Sequence, residues 1–421
     1  MLYAFELGRE WKLSLAEIES LFGAPNIKYI NPKLALLELA LAPAQVSAVA
    51  GRMGGIIRAF EVLSSLRDPK SFGPRIFETL SGSDVEKRIT FGLGTIGGPE
   101  AGIFTSGLRL KKDLKDRGFS VRLVNRDAKN PVTAVVLTEK LVETGTEFFL
   151  LGTTPNAYYL ARTIHIQDID AYSARDLGKA RDMEVGMLPP KLAQMMINLA
   201  ISGALTPELI TATAPSDTTA TKSDSALVSR KQPVIYDPFC GLGTVLIEAA
   251  HMGLMQSYAS DISNDMVHST RASFATLSAS SGAACETSLL DAKEVATLPS
   301  LSRVTHIVTE GYLGRIFGHH TIKPDLVATE KANLMSIYRA FFDGLVSKKW
   351  KGTVVITLPC WEVSGDTVYF GEFFSLFEGA NWRVDPLLVP RPDVRLTKYG
   401  TLIYRRPGQT VGREVVRIVR K

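Results

Sequence analysis

The stretch Val234-Ile-Tyr-Asp-Pro-Phe-Cys-Gly-Leu-Gly-Thr-Val-Leu-Ile-Glu248 constrains the fold more than any other part of this 421-residue chain. Val234 to Tyr236 is an apolar run of strand character, closed by Asp237-Pro238. Cys240-Gly241-Leu242-Gly243 then turns the chain, and an apolar-periodic helix opens at Thr244. Glycine at 241 and 243 lets the backbone take positive φ and come close to a ligand, to which the helix start offers free N–H groups. Such a strand–turn–helix holds a nucleotide-like cofactor at the carboxyl end of a parallel strand. The third glycine of a dinucleotide fingerprint is missing, and an acid precedes the glycines. A pyrophosphate would need donors there. S-adenosylmethionine has no phosphate; its cationic amino group and sulfonium suit Asp237. The plain alternative is an ordinary α/β turn, against which the whole Asp-Pro-Phe-Cys-Gly-x-Gly-Thr string argues. S-adenosylmethionine is thus the expected cofactor, with Asp237, Phe239, Cys240, Gly241 and Gly243 around it.

A chain of this length holds two or three domains, each with its own core. Hydrophobic content of 45% and charged content of 22% are those of a soluble globular protein. Charged residues interrupt the apolar runs well short of a bilayer span, and no basic stretch with a cleavable apolar core opens the chain, so a cytoplasmic protein is expected. Cys240, Cys285 and Cys360 make neither a metal spacing nor an even disulfide set. His319-His320 has no further ligands nearby in sequence, so no metal is expected. The net charge is +5, mild enough that the placement of the basic residues matters more than their number.

Taken in order, the chain predicts an α/β protein of three parts. Residues 1–84 read as a βαββαβ, ferredoxin-like module: strands at Tyr3–Leu7, Asn26–Asn31, Lys33–Leu39 and Ile56–Leu63, with helices at Ser14–Phe22 and Ala42–Arg52. Ser14-Leu-Ala-Glu17 reads as a capping box. Residues 85–170 form an α+β module carrying Arg109, Lys111, Lys112, Lys115, Arg117, Arg122, Arg126 and Lys129. Three aspartates dilute that cluster, which is either a solvated helix face or a contact to RNA phosphates. Asp168–Asp182 reads as a polar connector, after which Pro190 sits in the first turn of a helix. Residues 171–421 form a Rossmann-like doubly wound sheet closed by antiparallel strands, interrupted by a Thr/Ser/Ala-rich loop at 205–232 read as flexible. Arg405 and Arg406 belong to the most basic part of the chain, which favours a nucleic-acid contact.

Asp261 closes the second strand of that sheet about 20 residues past the glycine loop, where a carboxylate accepts ribose hydroxyls; Ile262 follows it. Asp could instead cap the next helix. Asp291 ends the third strand and either accepts from an adenine amine or makes a turn. The fourth strand leads into Thr309-Glu310-Gly311-Tyr312, the place where amino-directed methyltransferases carry Asp or Asn, two prolines and an aromatic. The lone pair of an exocyclic amine is delocalised into the base. Acceptors that hold its N–H groups favour a more tetrahedral nitrogen, and an aromatic stacks on the extruded base. Glu310 is the candidate acceptor, Tyr312 the candidate stacking residue, and Thr309 stands with them; Glu310 could equally be a structural acid. Cys360 follows proline, as a cytosine-C5 nucleophile would, but reads better as a small buried residue.

Together these motifs resemble the archaeal-type THUMP-containing tRNA guanosine N2-methyltransferases that act on guanosine ten. The likeness covers nearly the whole chain. It runs through Tyr3-Ala-Phe-Glu-Leu-Gly8, Gly118-Phe-Ser-Val-Arg122, Gly186-Met-Leu-Pro-Pro-Lys-Leu-Ala193, Asp237-Pro-Phe-Cys-Gly-Leu-Gly-Thr244, Ser260-Asp-Ile-Ser263, Tyr404-Arg-Arg-Pro-Gly408 and Val411-Gly-Arg-Glu414. It implies methyl transfer from S-adenosylmethionine to the N2 of a guanine, with residues 85–170 as a THUMP domain gripping the acceptor end of tRNA. It also implies that Pro190 and Lys191 border the methionine end of the cofactor. A monomer with tRNA as its partner is expected. Where the family carries Asp-Pro-Pro-Tyr, this chain has Thr309-Glu310-Gly311-Tyr312, which leaves the target atom open: adenine N6, cytosine C5, or no catalysis at all.

Overall fold

In the computed structural model the described residues are 1–82, 88–100, 102–127, 129–177, 188–202, 232–315, 323–379, 381–406 and 408–421. They form two compact units. One comprises Met1–Trp11, Pro25–Gly51 and Ile56–Ala171; the other comprises Lys12–Ala24, Arg52–Gly55 and Tyr172–Lys421. The loop expected at 205–232 and the pair His319-His320 lie, apart from Gln232, outside the described residues.

The elements up to residue 166 are β1 (Leu2–Leu7), α1 (Trp11–Phe22), β2 (Ile27–Ile30), β3 (Leu34–Glu38), α2 (Pro43–Ala50), β4 (Ile56–Leu66) and α3 (Phe72–Ser81). They continue with β5 (Arg88–Ile96), α4 (Ile103–Asp116), β6 (Ser120–Leu123), α5 (Thr133–Thr138), β7 (Glu147–Thr154) and β8 (Ala157–Ile166). All eight strands join one sheet in the order β2-β3-β1-β4-β8-β7-β5-β6. Neighbours are antiparallel except at β5–β7 and β5–β6. The expected boundary at 84/85 falls among undescribed residues, and the strands on either side of it share this sheet. Phe60 and Phe149 meet in its core with ring centroids 4.9 Å apart. Arg58 lies buried beside them, 3.0 Å from Glu6 and 3.6 Å from Glu147, so its charge is met by carboxylates of its own sheet.

Two local expectations are corrected here. Helix α1 starts at Trp11, so Ser14 and Glu17 are buried interior positions and not a capping box. The carboxylate of Glu17 reaches out of its helix to the N–H groups of Gly54 and Gly55, at 3.0 and 2.8 Å. Helix α3 was not expected, although Phe72, Ile76 and Leu80 bury one face at a spacing of four.

The second unit adds α6 (Ile169–Leu177), at its boundary, then α7 (Pro190–Ala200), β9 (Ile235–Asp237), α8 (Thr244–His251), β10 (Gln256–Asp261), α9 (Asn264–Ser281), β11 (Ala284–Leu289) and β12 (His306–Thr309). The remainder is α10 (Pro324–Ser347), β13 (Thr353–Val363), β14 (Asp366–Tyr369), β15 (Trp382–Asp385), β16 (Leu402–Tyr404) and β17 (Val411–Arg420). The expected polar connector is therefore helical over Ile169–Leu177. The sheet order is β11-β10-β9-β12-β13-β17-β15, with β14 on β13 and β16 on β17. The five strands from β11 to β13 are parallel, and β17 returns antiparallel between β13 and β15. From β9 the chain winds outward through β10 and β11, then crosses back to place β12 on the other side of β9. Strands β9 and β12 thus flank the switch point where ligands of open α/β sheets sit. An aromatic core of Tyr338, Phe341, Phe342, Phe373, Phe377 and Trp382 packs α10 onto the sheet.

Candidate active site

The loop after β9 is built to stand open. Gly241 has φ +49° and Gly243 φ +79°, values at which a side chain is strained. A Cβ on Gly243 would lie 3.0 Å from Thr270, whereas one on Gly241 would meet no atom within 4 Å. The loop is pinned by its backbone: Cys240 N–H donates to the Ser260 carbonyl at 2.9 Å, and the Thr270 hydroxyl donates to the Gly241 carbonyl at 2.7 Å. Gly243 leads directly into α8, whose first N–H groups have no intrahelical acceptor.

Two carboxylates border this loop. Asp261 accepts from the N–H of Gly241 at 3.0 Å and from that of Ser263 at 2.9 Å. Ser263, not Asp261, is the N-cap of α9. Ile262, beside it, is 71% exposed. Asp237 is buried at the end of β9 and accepts from the N–H of Phe239 at 3.1 Å. Burial pushes its carboxyl up to about 7, and the charges of Asp261 and Glu310 add to the effect. Asp291 takes the turn-forming alternative. It caps a 3-10 turn, accepting from Lys293 N–H at 2.9 Å and pairing with the Lys293 ammonium at 3.1 Å.

Thr309-Glu310-Gly311-Tyr312 leaves β12 beside the glycine loop, because Ile307 on β12 pairs with Tyr236 on β9. The missing prolines are replaced by hydrogen bonds. Gly311 N–H donates to the Thr309 hydroxyl at 3.1 Å, the Thr357 hydroxyl to the Glu310 carbonyl at 2.5 Å, and the Tyr338 hydroxyl to the Tyr312 carbonyl at 2.8 Å. Gly311 has φ +71°, and a Cβ there would meet the Tyr338 hydroxyl at 2.6 Å. Tyr312 is 42% exposed and open to a stacking partner. Glu310 is held by Arg413, whose Nε donates to Oε1 at 2.5 Å. The Arg413 side chain is only 5% exposed, that of Glu310 19%. Burial raises the Glu310 carboxyl, and the guanidinium opposes the rise.

From sequence Arg413 stands only in the basic C-terminal stretch and in Val411-Gly-Arg-Glu414, with no place in the catalytic turn. It stands opposite Pro359 because β17 returns beside β13, a pairing that local sequence does not announce. Cys360, nearby, is buried, and burial pushes its thiol up to about 11; the Cys240 thiol is raised for the same reason. Neither has the thiolate character of a nucleophile.

Pro190 and Lys191 open α7. Pro190 is buried, and the Lys191 ammonium lies 4.9 Å from the centre of the Tyr172 ring, its pKa lowered by burial and by the charge of Arg175. Beneath them Glu248 on α8 accepts from Gln194 at 2.9 Å and from Arg175 at 3.1 Å. In the first unit, Lys112, Lys115 and Arg126 are exposed and Lys111 is half-buried, while Arg122 is exposed but paired with Glu139 at 2.9 Å. Arg406 is exposed. Arg405 is half-buried, with Glu362 and the Cys360 carbonyl each at 3.4 Å. Among the described residues no group of three His, Cys, Asp or Glu side chains could hold a metal ion, and no helix is long and apolar enough to cross a membrane.

Residues 227–309 match the family model described as the RMKL-like methyltransferase domain, UPF0020. No curated protein matches the chain. Among solved structures, TrmN from Thermus thermophilus is similar at 14% identity over 100% of this chain and 99% of that one, with a TM-score of 0.46. A protein described as a possible methylase from Clostridium difficile 630 is similar at 12% identity over 98% and 97%, with a TM-score of 0.39. SMU.472, solved in complex with SAH, is similar at 9% identity over 100% and 98%, with a TM-score of 0.43. The second unit thus carries a methyltransferase domain of the class I fold, the class whose methyl donor is S-adenosylmethionine.

Proposed function

We propose that this chain is an S-adenosylmethionine-dependent RNA methyltransferase acting on an exocyclic base amine, namely N2 of a guanosine in tRNA, guanosine ten by the family resemblance. The observation that carries the reading is the apposition of two turns at the carboxyl ends of neighbouring parallel strands. One is the Asp237–Gly243 loop and the other Thr309–Tyr312, brought side by side by the pairing of Ile307 with Tyr236.

The residues present fit the cofactor. The space over Gly241 is open, Asp261 offers a carboxylate beside it for ribose hydroxyls, and exposed Ile262 offers an apolar face for adenine. Phe239, Cys240 and Gly243 shape the loop, Asp237 meets positive charge, and Pro190 and Lys191 lie at the methionine end. Asp291 would reach the adenine amine only by leaving Lys293. When bound, the cofactor supplies an electrophilic methyl: its C–S bond breaks as the N–C bond forms, leaving a neutral thioether. Glu310 and the carbonyls of the turn accept the N–H groups of the amine, and Tyr312 stacks on the base. The nitrogen becomes acidic only as the methyl arrives, so its proton leaves to Glu310 or water without a strong base. Positioning supplies most of the acceleration.

The N-terminal region fits RNA delivery. The order β2-β3-β1-β4 with antiparallel neighbours supports a ferredoxin-like module, and exposed Lys112, Lys115 and Arg126 support an RNA-binding, THUMP-like module after it. One observation favours a second reading. Arg413 occupies an oxygen of Glu310, as it would around a structural acid in a protein that binds RNA without turnover. Transfer of labelled methyl from S-adenosylmethionine to a tRNA pool, with mapping of the labelled nucleotide, tests both. N2-methylguanosine supports the first reading. Label on adenine or cytosine names another amine or ring atom, and donor binding without turnover supports the second.

A further inference from the structure

We propose that the Glu310–Arg413 pair selects guanine, Glu310 receiving the two adjacent donors of its Watson–Crick edge while Arg413 keeps the acid in its acceptor-only form. This rests on the reading of Thr309–Tyr312 as the site of an exocyclic base amine.

An ionised carboxylate accepts and cannot donate; each of its oxygens has two lone pairs. Arg413 Nε takes one of those on Oε1, and no described residue donates to Oε2. Both oxygens therefore keep acceptor capacity at the mouth of the site, where Glu310 is partly exposed while Arg413 is buried behind it. The bases that carry an amine differ in what lies beside it. Guanine has N1–H next to N2–H, two donors spaced for one carboxylate. Adenine has the N1 lone pair next to its amine, and cytosine the N3 lone pair. A lone pair held against a carboxylate in a desolvated site is repelled and leaves a hydrogen bond unmade.

The charge state decides the outcome, since a protonated Glu310 could donate to adenine N1 or cytosine N3. Burial favours that neutral form, and the Arg413 guanidinium opposes it. Among the described residues, the other titratable groups coupled to Glu310 are the carboxyl of Asp237 and the hydroxyl of Tyr338. Neither is a cation, so among them the balance falls to Arg413.

The test uses the full chain and a tRNA transcript whose methylated nucleotide has been mapped. Replacing that guanine by 2-aminopurine keeps the N2 amine and turns N1–H into a lone pair. The wild-type protein should prefer guanine by about 100-fold in kcat/KM. Glu310→Gln, whose amide can donate to that lone pair, should bring the preference below about tenfold, with S-adenosylmethionine affinity unchanged as the check on folding. A wild-type preference near one overturns the proposal even if the variant does not fold, and so does an unchanged preference in the variant. Absence of methylguanosine from the wild-type reaction would overturn the functional reading itself, and the inference with it.

Discussion

Asn198, on α7, donates its amide Nδ2–H to the carboxylate of Glu17, on α1, at 2.7 Å, although 181 residues separate the two in sequence. Glu17 is fully buried and also receives the N–H groups of Gly54 and Gly55. A Cβ on Gly54 would lie 2.0 Å from the Lys191 carbonyl, so the short loop fits tightly against the first turn of α7. Glu17→Ala would strand three donors, and a loss of about 3–5 kcal/mol is expected in urea unfolding. Glu17→Gln should lose less, because the amide oxygen still accepts.

Asp237 gives a pH signature. Its folded carboxyl titrates near 7, above the unfolded value near 4, so the native state binds the extra proton between those limits. Its contribution to stability is complete below about pH 4, declines as pH rises, and is gone above about pH 7. Glu17, also pushed up to about 7, acts in the same direction. Asp237→Asn should therefore flatten the fall in the urea midpoint between about pH 4 and 7. It should also weaken S-adenosylmethionine binding. In the wild type that affinity should rise from about pH 6 to 7 with release of a proton, seen by calorimetry in two buffers of different ionisation enthalpy.

The two loop glycines should separate fold from ligand. Gly241→Ala places a methyl in open space, at a backbone strain of about 1–2 kcal/mol, and should fold while losing at least about tenfold in cofactor affinity. Gly243→Ala adds the approach to Thr270 and should lose more stability. Thermal unfolding and cofactor titration together check the pair.

Replacing Lys112, Lys115 and Arg126 with Ala should make the salt dependence of tRNA binding shallower by about 0.9 in the log–log slope for each phosphate contact removed. Cofactor affinity should not move. An unchanged slope would mean that this face is merely solvated.

Cys360→Ala should retain turnover within about threefold, because a buried thiol held near 11 supplies no thiolate at neutral pH. Loss of activity with an intact fold would revive the nucleophile.

Much of the chain was legible from neighbours in sequence. The turn Asp237–Gly243, the carboxylate closing β10, the parallel run β9 to β13 and the antiparallel closing strands all follow from alternation, glycines and short-range spacing, which are local properties. Even the unexpected helix α3 had its signal in Phe72, Ile76 and Leu80. What tertiary structure alone decided was the partner of each charge. Arg413 meets Glu310 because β17 inserts between β13 and β15, and Arg405 reaches Glu362 beside the same strands. Residues 12–24 join the second unit because Glu17 finds its donors in residues 54, 55 and 198. A strand's alternation depends on residues two apart. The electrostatics of a buried carboxylate depends on whatever the fold brings within a few ångströms, and that distance has no sequence address.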